Sequence, residues 1–144
     1  MTRSRKLTLA ALALVLVLGA CVPLNVPGLR NLHNQTWAAR FEVEVRPAGL
    51  ATIRLPVDLA LTFSQNFQDV TARATLQYDT GIFRLETGGI VDLSGRIGFD
   101  DRLDLSSSSN ALQFDGRFVG DRLIGTVSIG GLVPVADVVF TRTR

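Results

Sequence analysis

The chain has one cysteine, one histidine, one tryptophan and one tyrosine in 144 residues, and Lys6 is its only lysine. With Cys21 alone, an internal disulfide is excluded, although an exported protein can use one. No second thiol exists to complete a cysteine metal site. The single histidine, His33, precedes all the strand-patterned sequence. A nucleophilic serine needs an adjacent base, so Ser106 to Ser109 have no histidine partner in their own domain. One Trp and one Tyr are too few for the aromatic girdles of a membrane-embedded β-barrel. After Cys21 no stretch sustains a 3.6-residue apolar period, which argues against amphipathic helices.

What the N-terminus does contain is a charged and then apolar leader. Arg3, Arg5 and Lys6 precede the run Leu7 to Leu18, in which Thr8 is the only polar residue. The run is shorter than the roughly 20 residues of a membrane-spanning helix and suits a signal h-region. It ends in Leu18-Gly19-Ala20-Cys21. These residues resemble the lipobox of bacterial lipoproteins. The resemblance implies diacylglyceryl transfer to the Cys21 thiolate and cleavage between Ala20 and Cys21, with residues 1–20 lost as signal peptide. Two or more acyl chains then hold the protein at a membrane, each buried CH₂ contributing about 0.8 kcal/mol. Val22, in place of the aspartate that retains lipoproteins at an inner membrane, implies the periplasmic face of an outer membrane in a diderm cell. In a monoderm the same anchor gives the outer face of the plasma membrane. The other readings of the segment are a plain signal or an uncleaved anchor.

Loss of the leader changes the charge balance. The full chain is formally +2. Cleavage removes three of 15 basic residues and none of the 13 acids, leaving 12 against 13. Nucleic-acid binding draws on a basic surface for phosphate contacts, so no nucleic-acid partner is expected.

Residues 21–34, with Pro23, Pro27, Gly28 and three Asn, show no regular period and read as a tether. From Trp37 the pattern alternates, apolar then polar, as half-buried strands do. Phe41, Val43 and Val45 form one such set. Ile53 to Phe63, Val70 to Tyr78, Val91 to Phe99 and Leu112 to Phe118 form others. Turn signals separate them: Pro47-Ala48-Gly49, Asp79-Thr80-Gly81, Gly88-Gly89, Asp100-Asp101 and Gly120-Asp121. The short spacings favour antiparallel neighbours, because a parallel crossover needs a dozen or more residues. The reading is an all-β domain over 35–144, one antiparallel meander of about eight or nine strands forming a small up-and-down barrel, with a β-sandwich as the alternative. Gly95, Gly116 and Gly125 fall on the inward parity and leave room for tight bending. Pro56, on the outward parity, marks an edge or a bulge.

Trp37 near the start of the first strand, and Arg142 on the inward parity near the end of the last, resemble the Trp and Arg that close one end of lipocalin-type (calycin) barrels. Here Gln35-Thr36-Trp37 stands where that family has Gly-x-Trp. The resemblance implies a structural rim in which Arg142 stacks on Trp37 as a cation–π pair, with any ligand entering at the opposite end.

Candidate chemistry is sparse. Asp100, Asp101 and Asp104 could offer oxygens to Ca²⁺, but Arg102 interrupts them and a turn accounts for them better. Glu42 and Glu44 share one strand face with flanking arginines and read as a solvated charged surface. Phe41, Phe63, Phe83, Phe99, Phe114, Phe118 and Phe140 line either a ligand cavity or a packed core, and small barrels favour the core. No catalytic set, metal site or cofactor emerges beyond a covalent lipid on Cys21. The function expected is therefore a lipid-anchored, non-catalytic envelope module that holds an apolar ligand or docks an envelope partner. The alternatives are a carboxylate-dependent hydrolase of lipid or glycan and a membrane-embedded barrel. Replacing Cys21→Ser is expected to abolish acyl labelling and shift the protein out of the membrane fraction. Unchanged labelling and fractionation would refute the anchor.

Overall fold

The computed structural model describes residues 26–46, 48–49, 51–78 and 89–144. The leader, Cys21, Val22, Phe83 and the Asp79-Thr80-Gly81 turn lie outside them. Eight strands follow in order: β1 (Thr36–Val45), β2 (Ile53–Asn66), β3 (Asp69–Tyr78), β4 (Gly89–Ile97), β5 (Arg102–Ser107), β6 (Leu112–Val119), β7 (Arg122–Ile129) and β8 (Val135–Arg142). Each pairs antiparallel with the next, and β1 pairs with β8, so one sheet closes on itself as an up-and-down barrel. The sandwich alternative is excluded by that closure. The β1–β8 seam is short. Only Trp37–Arg142 and Ala38–Thr141 stay in register, reinforced by hydrogen bonds between Thr36 and residues 143 and 144.

The alternation sends one parity inward. On β2 and β3, Val57, Leu59, Leu61, Phe63, Val70, Ala72, Ala74 and Leu76 are all buried, while their neighbours face out. Leu59, Leu61, Phe63, Leu123 and Phe140 are 2% exposed or less. Eight strands enclose an interior just wide enough for side chains, and here those side chains occupy it. Phe99, expected inward, is not part of this core. β4 ends at Ile97, and Phe99 stands exposed beyond it in the β4–β5 turn.

Outward positions carry charges that set the register. Arg40 faces Asp58, Glu44 faces Arg54, Asp69 faces Arg96 and Arg73 faces Asp92 as direct cross-strand partners. Each of these pairs makes an ion pair. Such pairs contribute roughly 0.2–1 kcal/mol each. A one-residue slip would break every one of them and turn the core residues outward. Pro56 pairs with Glu42 on the β1 side, just beyond the last β3 partner of β2 at Val57. Among the described residues Pro56 has no partner on the β3 side.

Close approaches at inward glycines cluster in β4–β7. Gly116 and Gly125 are register partners. A Cβ on Gly125 would lie 2.6 Å from the Gly116 Cα and 2.8 Å from the tip of the Phe114 ring. The glycines thus let two strands approach closely while Phe114 lies across them and meets Phe140 edge to face at 5.4 Å. Gly95 is tighter still, its Cβ position overlapping the Asp104 carbonyl. Gly125→Ala is expected to destabilise the barrel by about 1–3 kcal/mol, the usual effect of overpacking. Chemical denaturation checks this, and a variant as stable as the wild type would show that the close approach is not required.

Candidate functional site: the two ends of the barrel

One end of the barrel is sealed by the chain's own N-terminal segment. The strands place the start of β1, the end of β8 and the β2–β3, β4–β5 and β6–β7 turns at this end. Residues 26–34 were expected to be a free tether, and here the structure corrects the sequence reading. Leu32 is fully buried in the core cluster, and Leu29 packs against it. The segment is fastened by Gln65, on the inward parity of β2. Its Oε1 accepts from the Leu32 N–H at 2.6 Å, and its Nε2 donates to the Arg30 carbonyl at 3.0 Å. The domain therefore begins well before residue 35. An apolar leucine followed by paired polar groups is a weak signal in sequence, because Val22 to Asn34 has no period to reveal it.

Arg30 is the cation that meets the aromatic face at this rim. Its guanidinium lies 4.5 Å from the centroid of Phe118, and its Nε pairs with Asp101 at 3.2 Å. Its Nη2 donates to the Gly120 carbonyl at 3.1 Å. Phe118 in turn meets Trp37 edge to face at 5.2 Å, and the Trp37 Nε1 donates to Gln35 Oε1 at 3.1 Å. The expected Arg142–Trp37 stack is therefore corrected. Trp37 and Arg142 are opposed across the seam as their parity requires. Yet Arg142 is exposed, and its Nε donates to the Arg144 carbonyl. Arg30 takes the aromatic face because the N-terminal segment crosses the rim and delivers its side chain there.

The other end, called here the far end, carries the β1–β2, β5–β6 and β7–β8 connections among the described residues. Its inward-parity side chains are incompletely covered. Val45, Leu55, Tyr78, Ile129, Leu132 and Val135 are only partly buried against the core. Ile53, opposite Val45, is 46% exposed, and Val133 is more exposed still. Burial raises the Tyr78 hydroxyl pKa above its ordinary value. The result is a shallow apolar rim above a filled interior. The deepest polar group below it, Ser107, is satisfied: its Oγ accepts from the Leu112 N–H at 3.1 Å.

The outer wall supplies the only facing carboxylates described. Asp104 and Asp115 are direct partners across β5 and β6. Both are bridged by Arg102, at 3.6 Å and 3.0 Å. Desolvation first, and the Asp115 charge second, raise the Asp104 carboxyl above its ordinary range. Asp115 and then Asp104 raise Arg102 in turn. This pair was not anticipated from sequence, because it depends on the β5–β6 register. It stands well exposed on the barrel's outside, bonded to arginine rather than facing a cleft. Comparison with family models and with curated proteins returned no match to this chain.

The remaining candidates have structural explanations. Asp100 accepts from the Arg102 N–H within the β4–β5 turn, and Asp101 takes φ +63° there. Asp104 leaves that group for the outer wall of β5. Glu44 pairs with Arg54 and Arg46. His33 Nδ1 accepts from the Gln65 N–H at 3.5 Å, beside the plug. Among the described residues no cluster of three or more His, Cys, Asp or Glu is placed to hold a metal ion. Arg30→Ala is expected to destabilise the domain by about 1–2 kcal/mol and to shift Trp37 emission to the red. Arg142→Ala is expected to change stability by less than about 0.5 kcal/mol. The reverse ranking in thermal unfolding would restore Arg142 as the rim cation.

Proposed function

We propose that the protein is a lipid-anchored, non-catalytic binding module of the cell envelope. In this reading Cys21 holds it to a membrane, and the far end of the barrel engages an apolar ligand or the apolar surface of an envelope partner. The observation that carries the proposal is the inequality of the two ends. One is sealed by Leu32 and Arg30, and the other keeps Ile53, Leu55, Tyr78 and Val133 partly or largely uncovered. A filled interior supports an occupant that covers the rim rather than one enclosed within the barrel.

The other readings gain less. A hydrolase needs convergent titratable groups in a water-excluding site, whereas the Asp104–Asp115 pair sits exposed on the outer wall with Arg102 between its charges. A membrane-embedded barrel needs an apolar outward band, and an arginine at the bilayer midplane costs about 2–4 kcal/mol. The outer wall instead carries Arg40, Arg73, Arg96 and Arg102 with their acidic partners. No helix among the described residues is long and apolar enough to cross a membrane.

A photo-crosslinking residue at position 53, introduced in the native host, tests the reading. The expected product is an adduct of defined mass, lipid or protein, formed at position 53 and absent at Ser94 on the outer wall. Its yield is expected to fall several-fold in a Leu55→Ser background. Equal adduct formation at both positions, or none at 53, would overturn the far end as the binding surface.

A further inference from the structure

The sealed end also presents an apolar feature that the plug does not use. Phe67 and Phe99 stand out from it, 47% and 56% exposed, with their rings edge to face at 6.4 Å. They come from different turns, β2–β3 and β4–β5, so their meeting is a product of the tertiary fold. Phe67 adopts φ +57°, a left-handed conformation that is an outlier for a bulky side chain. Such strain persists only where the surroundings enforce it, and it gathers at functional positions. Here the enforcing group is Gln65, whose Nε2 donates to the Phe67 carbonyl at 2.7 Å while its Oε1 holds Leu32. The strained turn gains no burial for the ring. It holds the ring outward.

The chain enters the fold beside this pair. A Cβ on Gly28 would lie 4.0 Å from the Phe99 ring. From Cys21 to Gly28 the backbone reaches roughly 25 Å at full extension. β1 has ten residues, and at the strand rise and barrel tilt the far end stands about 25 Å along the axis. An anchor at Cys21 therefore keeps the Phe67–Phe99 edge close to the lipid surface. It lets the far end reach that surface only with the connecting segment drawn almost straight along the wall. Of the neighbouring charges, Arg30 pairs with Asp101 and Arg96 with Asp69, while the Asp100 carboxylate beside Phe99 accepts from the Arg102 N–H within its turn.

We propose that the Phe67–Phe99 edge is a membrane seat, the two rings entering the interfacial layer of the leaflet that holds the anchor. The proposal rests on lipidation at Cys21. A tether raises the effective concentration of a second, weak contact, so two rings suffice to set orientation even though the acyl chains provide retention. Seated in this way, the barrel turns its far end away from the bilayer, toward whatever it binds.

The test uses the lipid-bearing mature protein in phosphatidylcholine vesicles with brominated acyl chains, which quench tryptophan on contact. Phe67→Trp is compared with Val133→Trp at the far end, each against the wild-type Trp37 background. Phe99→Trp serves as the second probe, because its turn does not depend on the positive φ of residue 67. The expected result is a blue shift and at least threefold stronger quenching at 67 and at 99 than at 133. Equal quenching at all three positions, with an acylated Cys21 peptide by mass, would overturn the seat and leave the anchor standing. A blue shift without quenching would mean that protein covers the edge, and would also overturn it. An unacylated Cys21 peptide would overturn the anchor, and the seat with it.

Discussion

The insertion of Leu32 into one end of the barrel is the contact on which the molecule's asymmetry depends. A closed sheet of eight strands has two equivalent openings in principle. Each exposes the ends of an apolar interior to water, at a cost of roughly 25 cal/mol per Å² of apolar surface left uncovered. The N-terminal segment covers one opening. It does so without leaving its own backbone unsatisfied, because the Gln65 side-chain amide serves the Leu32 N–H and the Arg30 carbonyl together. The same amide bonds the Phe67 carbonyl. Plug, rim and turn are consequently one hydrogen-bonded unit. A single polar side chain on the inward parity of β2 organises it.

Arg30 adds to the plug what a leucine cannot. A buried or half-buried guanidinium needs its donors used and its charge answered. Asp101 answers the charge, the Gly120 carbonyl takes a second donor, and the Phe118 ring faces its plane. Asp101 in turn sits in a left-handed turn conformation that brings its carboxylate to the rim. Trp37, Phe118 and Arg30 thus form a layered lid in which each member is positioned by a different part of the chain. The far end has no comparable lid among the described residues, and its inward side chains grade from buried to exposed.

The walls divide their labour between curvature and register. β1 and β2, and likewise β3 and β4, are matched by facing charges along their outer side, whereas in β4–β7 glycine at inward positions lets strands and Phe114 approach closely. Phe114 fills the volume that Gly116 and Gly125 vacate, so the sheet can close without a void. This division accounts for the ionic character of the outer wall. Between β1 and β2 and between β3 and β4 its charges are partnered across strands, and the exposed Asp104–Asp115 pair shares Arg102.

The strands, their antiparallel order and most of the core were legible in the sequence, because a period of two is a local property of each segment. Residues such as Leu59, Leu61 and Phe63 could be assigned inward from their neighbours alone. The glycines at 95, 116 and 125 were legible as bending points for the same reason, and the opposition of Trp37 and Arg142 followed from parity. Parity could not say which cation would lie on which ring. That was decided by the path of residues 26–34, an aperiodic stretch whose single buried leucine has no local signature. Phe99 shows the same limit, since alternation carried past Ile97 assigned it inward, while the turn at Gly98 sent it outside to meet Phe67. Local alternation thus determined the barrel and its contents. Which end is closed, which side chains close it and which aromatics are left facing outward were decided only when distant segments met, because those contacts depend on chain direction after each strand ends.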